Sequence, residues 1–210
     1  MHSNSKLLFA KYGRQYIRPG ARLLEIGPDA IIHSSAGRGR WPSAYAEMVN
    51  DRTVIWDTLD MGNNPELTYP GVSEYSFPIP DETYEVVLAG QVLEHVRKIW
   101  VWIKELERIC KPGGCVILIN PVSWPFHPAP VDCWRVYPEG MRALLEDTRL
   151  RVLDSRCESL EAPGFRKYVP GVSAAFHSRK RWLFYRFFAP IGFPVERSYD
   201  TITVAQKESS

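Results

Sequence analysis

The sequence predicts an α/β protein in which a mostly parallel sheet of seven strands is flanked by helices within a single domain. Short apolar runs bounded by glycine, proline and polar residues alternate with segments whose apolar residues recur every three or four positions. The chain has 210 residues, is 45% hydrophobic and carries a formal net charge of +2. These values suit one domain with a sizeable core.

The strand predictions follow the apolar runs, at residues 22–26, 53–59, 72–76, 86–90, 115–120, 151–155 and 201–205. Gly27 comes directly after the first run, and glycine lets a ligand approach the backbone closely. Asp60 comes directly after the second run. Because ligands of open α/β sheets bind beyond the carboxyl ends of the strands, Asp60 can accept hydrogen bonds from the ribose hydroxyls of an adenosine cofactor.

The helix predictions rest on spacing and on residues that cap or break helices. A lead-in helix within residues 1–20 precedes the first strand. Residues 29–42 are predicted to be a loop, and Ser43 then caps a helix that ends at Val49. Two further helices are expected at residues 99–110 and from Pro138 onward, both with apolar residues at helical spacing.

Composition excludes several classes of protein. A near-neutral chain lacks the basic footprint of a dedicated nucleic-acid binder. The four cysteines have neither CxxC nor zinc-site spacing, so we expect reduced thiols and a cytoplasmic location. No apolar run approaches the roughly 20 residues of a membrane span, and no signal peptide is expected.

Five motifs occur in order: LLEIGP at 23–28, Leu59-Asp60, FPIPDETYE at 77–85, QVLEHV at 91–96 and KPGG at 111–114. Together they resemble class I S-adenosylmethionine-dependent methyltransferases of type 11, the UbiE-like family. The resemblance covers about residues 20–156. It implies a Rossmann-like fold whose last strand is antiparallel between the fifth and sixth, and S-adenosylmethionine as cofactor, with S-adenosylhomocysteine as product.

The resemblance also implies which residues hold the cofactor. These are Glu25, Gly27, Pro28, Asp60, Ser73, Glu74 and Gln91. Ser73 stands where many relatives have an adenine-contacting Asp, and Glu74 is the alternative for that contact. The sequence departs from the family at Pro28-Asp29, because Asp29 stands where a second glycine is usual.

Acceptor chemistry is expected after the fifth strand. Methyl transfer to an alcohol or phenol needs removal of a proton, and histidine suits this near neutral pH. We predict His127 as the base and Asp132 as the carboxylate that orients it. The alternative is that His127, Asp132 and Arg135 only tie down their proline-rich loop.

Substrate-binding roles are predicted for His95, Trp124 and Arg135, although His95 also suits a packing or capping role. A metal site built from His95, His127 and Asp132 is conceivable, but no metal-ligand spacing is visible, and we expect no metal.

Residues 160–197 form an insertion before the last strand, rich in aromatic and basic residues. A lid over the acceptor or packing on the sheet is favoured over a dimer contact or a membrane-surface helix.

The sequence therefore predicts a biosynthetic methyltransferase acting on a small molecule, most simply at oxygen on a sugar or natural-product scaffold. It predicts no nucleic-acid partner and allows a homodimer. The alternatives are methylation at nitrogen or carbon, a macromolecular acceptor, or a non-catalytic binding module that keeps the fold.

Overall fold

A sheet of six strands forms the centre of the described part of the chain. The computed structural model describes residues 3–28, 42–128, 131–161, 187–188, 191 and 198–209. Its strands are β1 (Arg22–Ile26), β2 (Ile55–Leu59), β3 (Tyr84–Gly90), β4 (Cys110–Pro121), β5 (Leu150–Glu158) and β6 (Asp200–Lys207). Their order across the sheet is β2-β1-β3-β4-β6-β5.

The direction of the strands matches the prediction for the end of the chain. The strands from β2 to β4 pair in parallel, whereas β6 is antiparallel to both β4 and β5. The last strand therefore lies between its two predecessors, as the resemblance implied. The Rossmann-like α/β fold is confirmed.

The expected short strand at 72–76 is absent from the described residues, so the prediction of seven strands is not confirmed. Tyr69 and Val72 exchange backbone hydrogen bonds with Thr58 and Asp60 at the end of β2. Gly71, with φ of +65°, then turns the chain, and beyond it only one isolated bridge joins Ser73 to Ser76. The turn residues prevent a continuous ladder from forming there.

Four α-helices flank the sheet in the described residues: α1 (Ser3–Leu8), α2 (Ala44–Val49), α3 (Ile99–Ile109) and α4 (Pro138–Leu145). The lead-in segment continues from α1 through a π-helical turn at Phe9–Gly13 and a 3-10 turn at Arg14–Tyr16. Ser43 caps α2 as predicted, since its side chain accepts a hydrogen bond from the Ala46 N–H at 3.1 Å.

Both faces of the sheet are covered. Leu23 and Leu24 are neighbours on β1, point to opposite faces and are both fully buried. Leu24 packs in a core with Trp102 of α3, whereas Leu23 packs in a second core with Phe9 and with Tyr45 of α2. Because both faces are buried, these strands appear in the sequence as continuous apolar runs. No helix among the described residues is long and apolar enough to cross a membrane.

Candidate active site

A cavity of about 240 Å³ lies at the carboxyl ends of β1, β2 and β3. Five of the residues predicted to hold the cofactor line it: Gly27, Asp60, Ser73, Glu74 and Gln91. His95 lines it as well, next to apolar walls from Ile26, Leu59, Met61, Val72, Phe77 and Trp102. A mostly apolar cavity with a few convergent polar groups is the usual form of a small-molecule site, although its volume is a little below the common range of about 300–1,000 Å³.

The turn after β1 brings the backbone to this cavity. Gly27 has φ of +64°, a conformation that favours glycine, and its N–H donates to the carbonyl of Leu59 at 2.9 Å. A Cβ at Gly27 would lie 2.5 Å from Cγ2 of Val92. Glycine is therefore required here both by backbone conformation and by space.

Asp60 follows β2 directly, as predicted. Its Oδ1 accepts a hydrogen bond from the Gly62 N–H at 2.6 Å, which fixes the carboxylate at the edge of the cavity. Ser73 is exposed beside it, and Glu74 accepts a hydrogen bond from the Arg97 N–H at 2.8 Å. Both candidates for the adenine contact thus lie on the same wall.

Gln91 follows β3 in a left-handed conformation, with φ of +62°. Its Nε2 donates to Oδ1 of Asp200 at 3.1 Å, and its backbone N–H donates to the carbonyl of Ile119. Within the described residues its buried Oε1 has no hydrogen-bond partner. A buried acceptor on the wall of a cavity is ready to receive a donor from a ligand.

Two of the predicted cofactor residues lie away from the lining. Glu25 is buried within β1, where its Oε2 accepts a hydrogen bond from the Trp56 indole N–H at 2.8 Å. Pro28 is also buried. Asp29 and the rest of the predicted loop lie outside the described residues, as does nearly all of the 160–197 insertion.

The loop after β4 docks on the 3-10 turn Leu93–His95. The Cys133 N–H donates to the carbonyl of Glu94 at 2.7 Å, and the Trp134 indole N–H donates to the carbonyl of Val96 at 2.8 Å. Nδ1 of His95 in turn hydrogen-bonds the carbonyl of Val131. These contacts bring residues more than thirty positions apart to one end of the cavity.

His127 is brought to this end of the cavity by the docked loop. Its ring is in edge-to-face contact with that of His95, with centroids 5.0 Å apart. Its Nδ1 lies 3.0 Å from the carbonyl oxygen of Pro125 and 3.2 Å from Oδ2 of Asp132. The predicted pairing of His127 with Asp132 therefore exists in the structure.

Arg135 is committed to the loop itself. Its guanidinium binds both carboxylate oxygens of Asp132 and donates to the carbonyls of Trp124, Pro125 and Trp134. The Arg135 hydrogen bonds are the main reason that the pKa of Asp132 is lowered to about 2. These contacts match the alternative in which Arg135 ties down its own loop. In this arrangement of the loop, Arg135 is not in a position to meet a substrate anion.

Glu94 belongs to this end of the cavity but received no role from the sequence. It is fully buried, and burial raises its pKa to about 8. Its Oε1 lies 3.8 Å from Nε2 of His95, too far for a hydrogen bond. The available signal was a carboxylate within the QVLEHV motif, directly before His95.

Comparison with known proteins finds similarity to methyltransferases. A type 11 methyltransferase domain model matches residues 61–118. A demethylmenaquinone methyltransferase of Lysinibacillus sphaericus is 25% identical over 115 residues, which cover 50% of this chain and 46% of that protein. One from Chlorobaculum parvum is 24% identical over 113 residues, 51% of this chain and 46% of that protein.

The chain is thus similar to type 11 methyltransferases over residues 61–118. It spans about half the length of the curated relatives that it matches. The family uses S-adenosylmethionine, and the lining fits that cofactor in two respects. Asp60 offers a carboxylate for ribose hydroxyls. Oε1 of Gln91, which has no hydrogen-bond partner among the described residues, suits the ammonium group of its methionine portion.

Solved structures agree on the fold of this chain. A candidate methyltransferase from Bacillus halodurans superposes with a TM-score of 0.61 at 11% identity, covering 99% of this chain and 100% of that one. A methyltransferase from Aquifex aeolicus gives 0.51 at 14%, covering 94% and 92%. A cyclase gives 0.60 at 14%, covering 98% and 81%, so the fold alone does not fix the reaction.

Proposed function

We propose that this chain transfers a methyl group from S-adenosylmethionine to an oxygen atom of a small molecule. One observation carries the proposal. Asp60, Gln91 and His95, which follow two different strands, line one cavity, and His127 lies against His95 at its end. The cavity thus has a cofactor half, lined by Asp60 and Gln91, and next to it an acceptor half, formed by His95 and His127.

The cofactor half would work by position. Gly27 leaves room along the first turn, Asp60 would accept the ribose hydroxyls, and Ser73 or Glu74 would contact the adenine. Gln91 would accept from the ammonium group. When bound, S-adenosylmethionine supplies a methyl group on a positively charged sulfur. The protein has to hold the acceptor in line with that group, and such positioning lowers the barrier substantially.

The acceptor half would handle the proton of the acceptor hydroxyl. Because the Nδ1 atom of His127 faces a carbonyl and a carboxylate, it carries the proton in the neutral ring, and Nε2 keeps its lone pair. We therefore propose that His127 takes part in removing the acceptor proton and that Asp132 orients it.

The acceptor class is the finer part of the proposal. A sugar or natural-product hydroxyl suits a small cavity with apolar walls, lined by the His95 imidazole with that of His127 against it. The near-neutral charge argues against a nucleic-acid acceptor. A nitrogen or carbon acceptor is the enzymatic alternative. All four cysteines are free thiols, which supports a reducing compartment such as the cytoplasm.

A second function, from outside the transferases, is favoured by one comparison. A cyclase shares this fold over most of both chains, so the cofactor site need not serve methyl transfer. Binding of S-adenosylmethionine without turnover on any acceptor would favour a binding module or another reaction.

Calorimetric titration with S-adenosylmethionine and, separately, S-adenosylhomocysteine tests the cofactor half. We expect micromolar binding of both. Absence of binding by a chain shown to be folded would contradict the proposal. Acceptor screening by transfer of labelled methyl groups then tests the reaction, and label recovered only on amines or carbon would refute methylation at oxygen.

The acceptor half is tested by His127→Ala. We expect turnover on the identified acceptor to fall roughly 100-fold or more, the usual scale for a group that handles a proton. Cofactor affinity should change by less than about threefold, because His127 is not among the lining residues of the cofactor half. Cys133→Ala, an exposed residue of the same loop, is the matched control. Normal turnover of His127→Ala would remove His127 from the mechanism.

A further inference from the structure

Three side chains at the acceptor end converge in the manner of a metal site. Glu94, His95 and His127 each offer one ligand atom, and these atoms all lie within 4.8 Å of one another. Ligands about 2.1 Å from a zinc ion are at most about 4.2 Å apart. A contraction of a few tenths of an ångström would therefore close the three atoms around one ion.

Among the described residues, the carboxylate of Glu94 has none of the hydrogen-bond partners that buried acids normally have. The residue is fully buried, and within the described part of the chain neither side-chain oxygen accepts a hydrogen bond. A buried carboxyl group either stays protonated or is paired with a cation, because an uncompensated buried charge is costly. A cation between Glu94 and the two imidazoles would supply the missing partner.

Both histidines are already oriented as ligands. Nδ1 of His95 hydrogen-bonds the Val131 carbonyl, and Nδ1 of His127 faces the Pro125 carbonyl and Asp132. Metal-bound histidines almost always donate their second N–H to a carbonyl or carboxylate in this way. The Nε2 lone pair of each ring is left for a cation.

We propose that Glu94, His95 and His127 bind one divalent transition-metal ion at the acceptor end of the cavity. The sequence favoured no metal, and the site it considered contained Asp132. In the structure the guanidinium of Arg135 binds both carboxylate oxygens of Asp132. The buried Glu94 therefore replaces Asp132 as the third ligand.

The ligand set indicates the kind of ion. Two imidazoles and one carboxylate suit zinc, iron, manganese or cobalt, whereas magnesium and calcium prefer all-oxygen sites. Three protein ligands leave further coordination positions open, as in catalytic zinc sites.

The role of the ion rests on the proposed function, although the site itself does not. His95 lines the cavity, so an acceptor oxygen that reaches it can bind the ion. A bound cation lowers the pKa of a coordinated hydroxyl, and the proton leaves to solvent. His127 then takes part in deprotonation by holding the ion.

The test is a cation titration of the whole chain. Protein stripped with a chelator is titrated with Zn²⁺, Mn²⁺, Co²⁺ and Mg²⁺ by calorimetry, and the Co²⁺ form is checked for visible absorption. We expect one transition-metal ion per chain and much weaker Mg²⁺ binding. The near-isosteric Glu94→Gln and His127→Ala should each weaken binding at least tenfold, since even loss of a residue that supports a ligand costs about 10–100-fold.

Cys133→Ala is the matched control, because its exposed thiol lies on the same loop and could bind zinc adventitiously. Its affinity should stay unchanged. Absence of stoichiometric binding, loss of binding in Cys133→Ala, or retention in both Glu94→Gln and His127→Ala would overturn the site. A bound ion without methyl transfer would support the site and refute the proposed function. Turnover by the metal-free chain would support the proposed function and refute the role of the ion in it.

Discussion

Asp60 stands at the point where β2 ends, with one carboxylate oxygen already bound to the Gly62 N–H at 2.6 Å. That bond fixes the direction of the carboxylate before any ligand arrives. A ligand hydroxyl that meets a fixed acceptor loses less entropy than one that meets a rotating side chain. At the residue scale, Asp60 is thus the strongest single candidate for recognition of the cofactor.

Asp60→Ala should weaken binding of S-adenosylmethionine and S-adenosylhomocysteine alike. Hydrogen bonds to charged groups contribute about 1.5–3 kcal/mol, which corresponds to a roughly 10- to 100-fold loss of affinity. Calorimetric titration measures both ligands. Asp147→Ala, an exposed carboxylate after α4, serves as control and should bind normally. Equal affinities of the two variants would exclude the ribose contact.

At the scale of elements, the turn between β1 and the following segment is held by the turn after β3. Gly27 and Val92 meet there, and their close approach shapes the floor of the cavity. The two turns belong to neighbouring parallel strands, so their distance is set by strand spacing, which neither turn can change alone.

Gly27→Ala should destabilise the fold more than an alanine at another glycine with positive φ. Gly113 has φ of +76° and open space around it, so Gly113→Ala carries only the conformational cost of about 1–2 kcal/mol. Gly27→Ala adds overpacking against Val92, typically about 1–3 kcal/mol. Denaturant unfolding compares the two variants.

Truncation of Val92 provides the internal check. The double variant Gly27→Ala, Val92→Ala should be less destabilised than the sum of its single changes, because the overlapping methyl group is gone. Strict additivity would show that the overlap is relieved in another way.

At the scale of the whole molecule, the first helix is tied to the cavity by buried polar contacts. Asn4 donates to Oδ2 of Asp200 at 2.7 Å, and Oδ1 of Asp200 accepts from Gln91 at 3.1 Å. Oδ1 of Asn4 also accepts from the Leu160 N–H at 2.8 Å. The two ends of the described chain thus meet at a residue that lines the cofactor half.

Asn4→Ala should lower the free energy of unfolding by about 1–3 kcal/mol, because it removes partners from buried polar groups. Cofactor affinity should also fall, since Gln91 is fixed through Asp200. Unfolding and calorimetry measure the two effects. Lys6→Ala, a partly exposed residue of the same helix, should alter neither. An unchanged affinity with lowered stability would show that α1 supports the fold without supporting the cavity.

Sequence reasoning was accurate where the signals are local. The cap at Ser43, the glycine at position 27 and the carboxylate at position 60 depend on neighbours a few residues away, and all three lie where they were expected. It was wrong about a strand at 72–76, because pairing depends on a partner strand and the turn at Gly71 ends the ladder.

By itself, the sequence determined the succession of strands and helices and the edge of the sheet where the cavity lies. Apolar periodicity and turn residues encode those features within short windows. The tertiary structure alone decided that Asp132 is bound by Arg135 and that Glu94 joins His95 and His127. That grouping arises when the loop after β4 docks on a turn more than thirty residues earlier, a contact that no local pattern records.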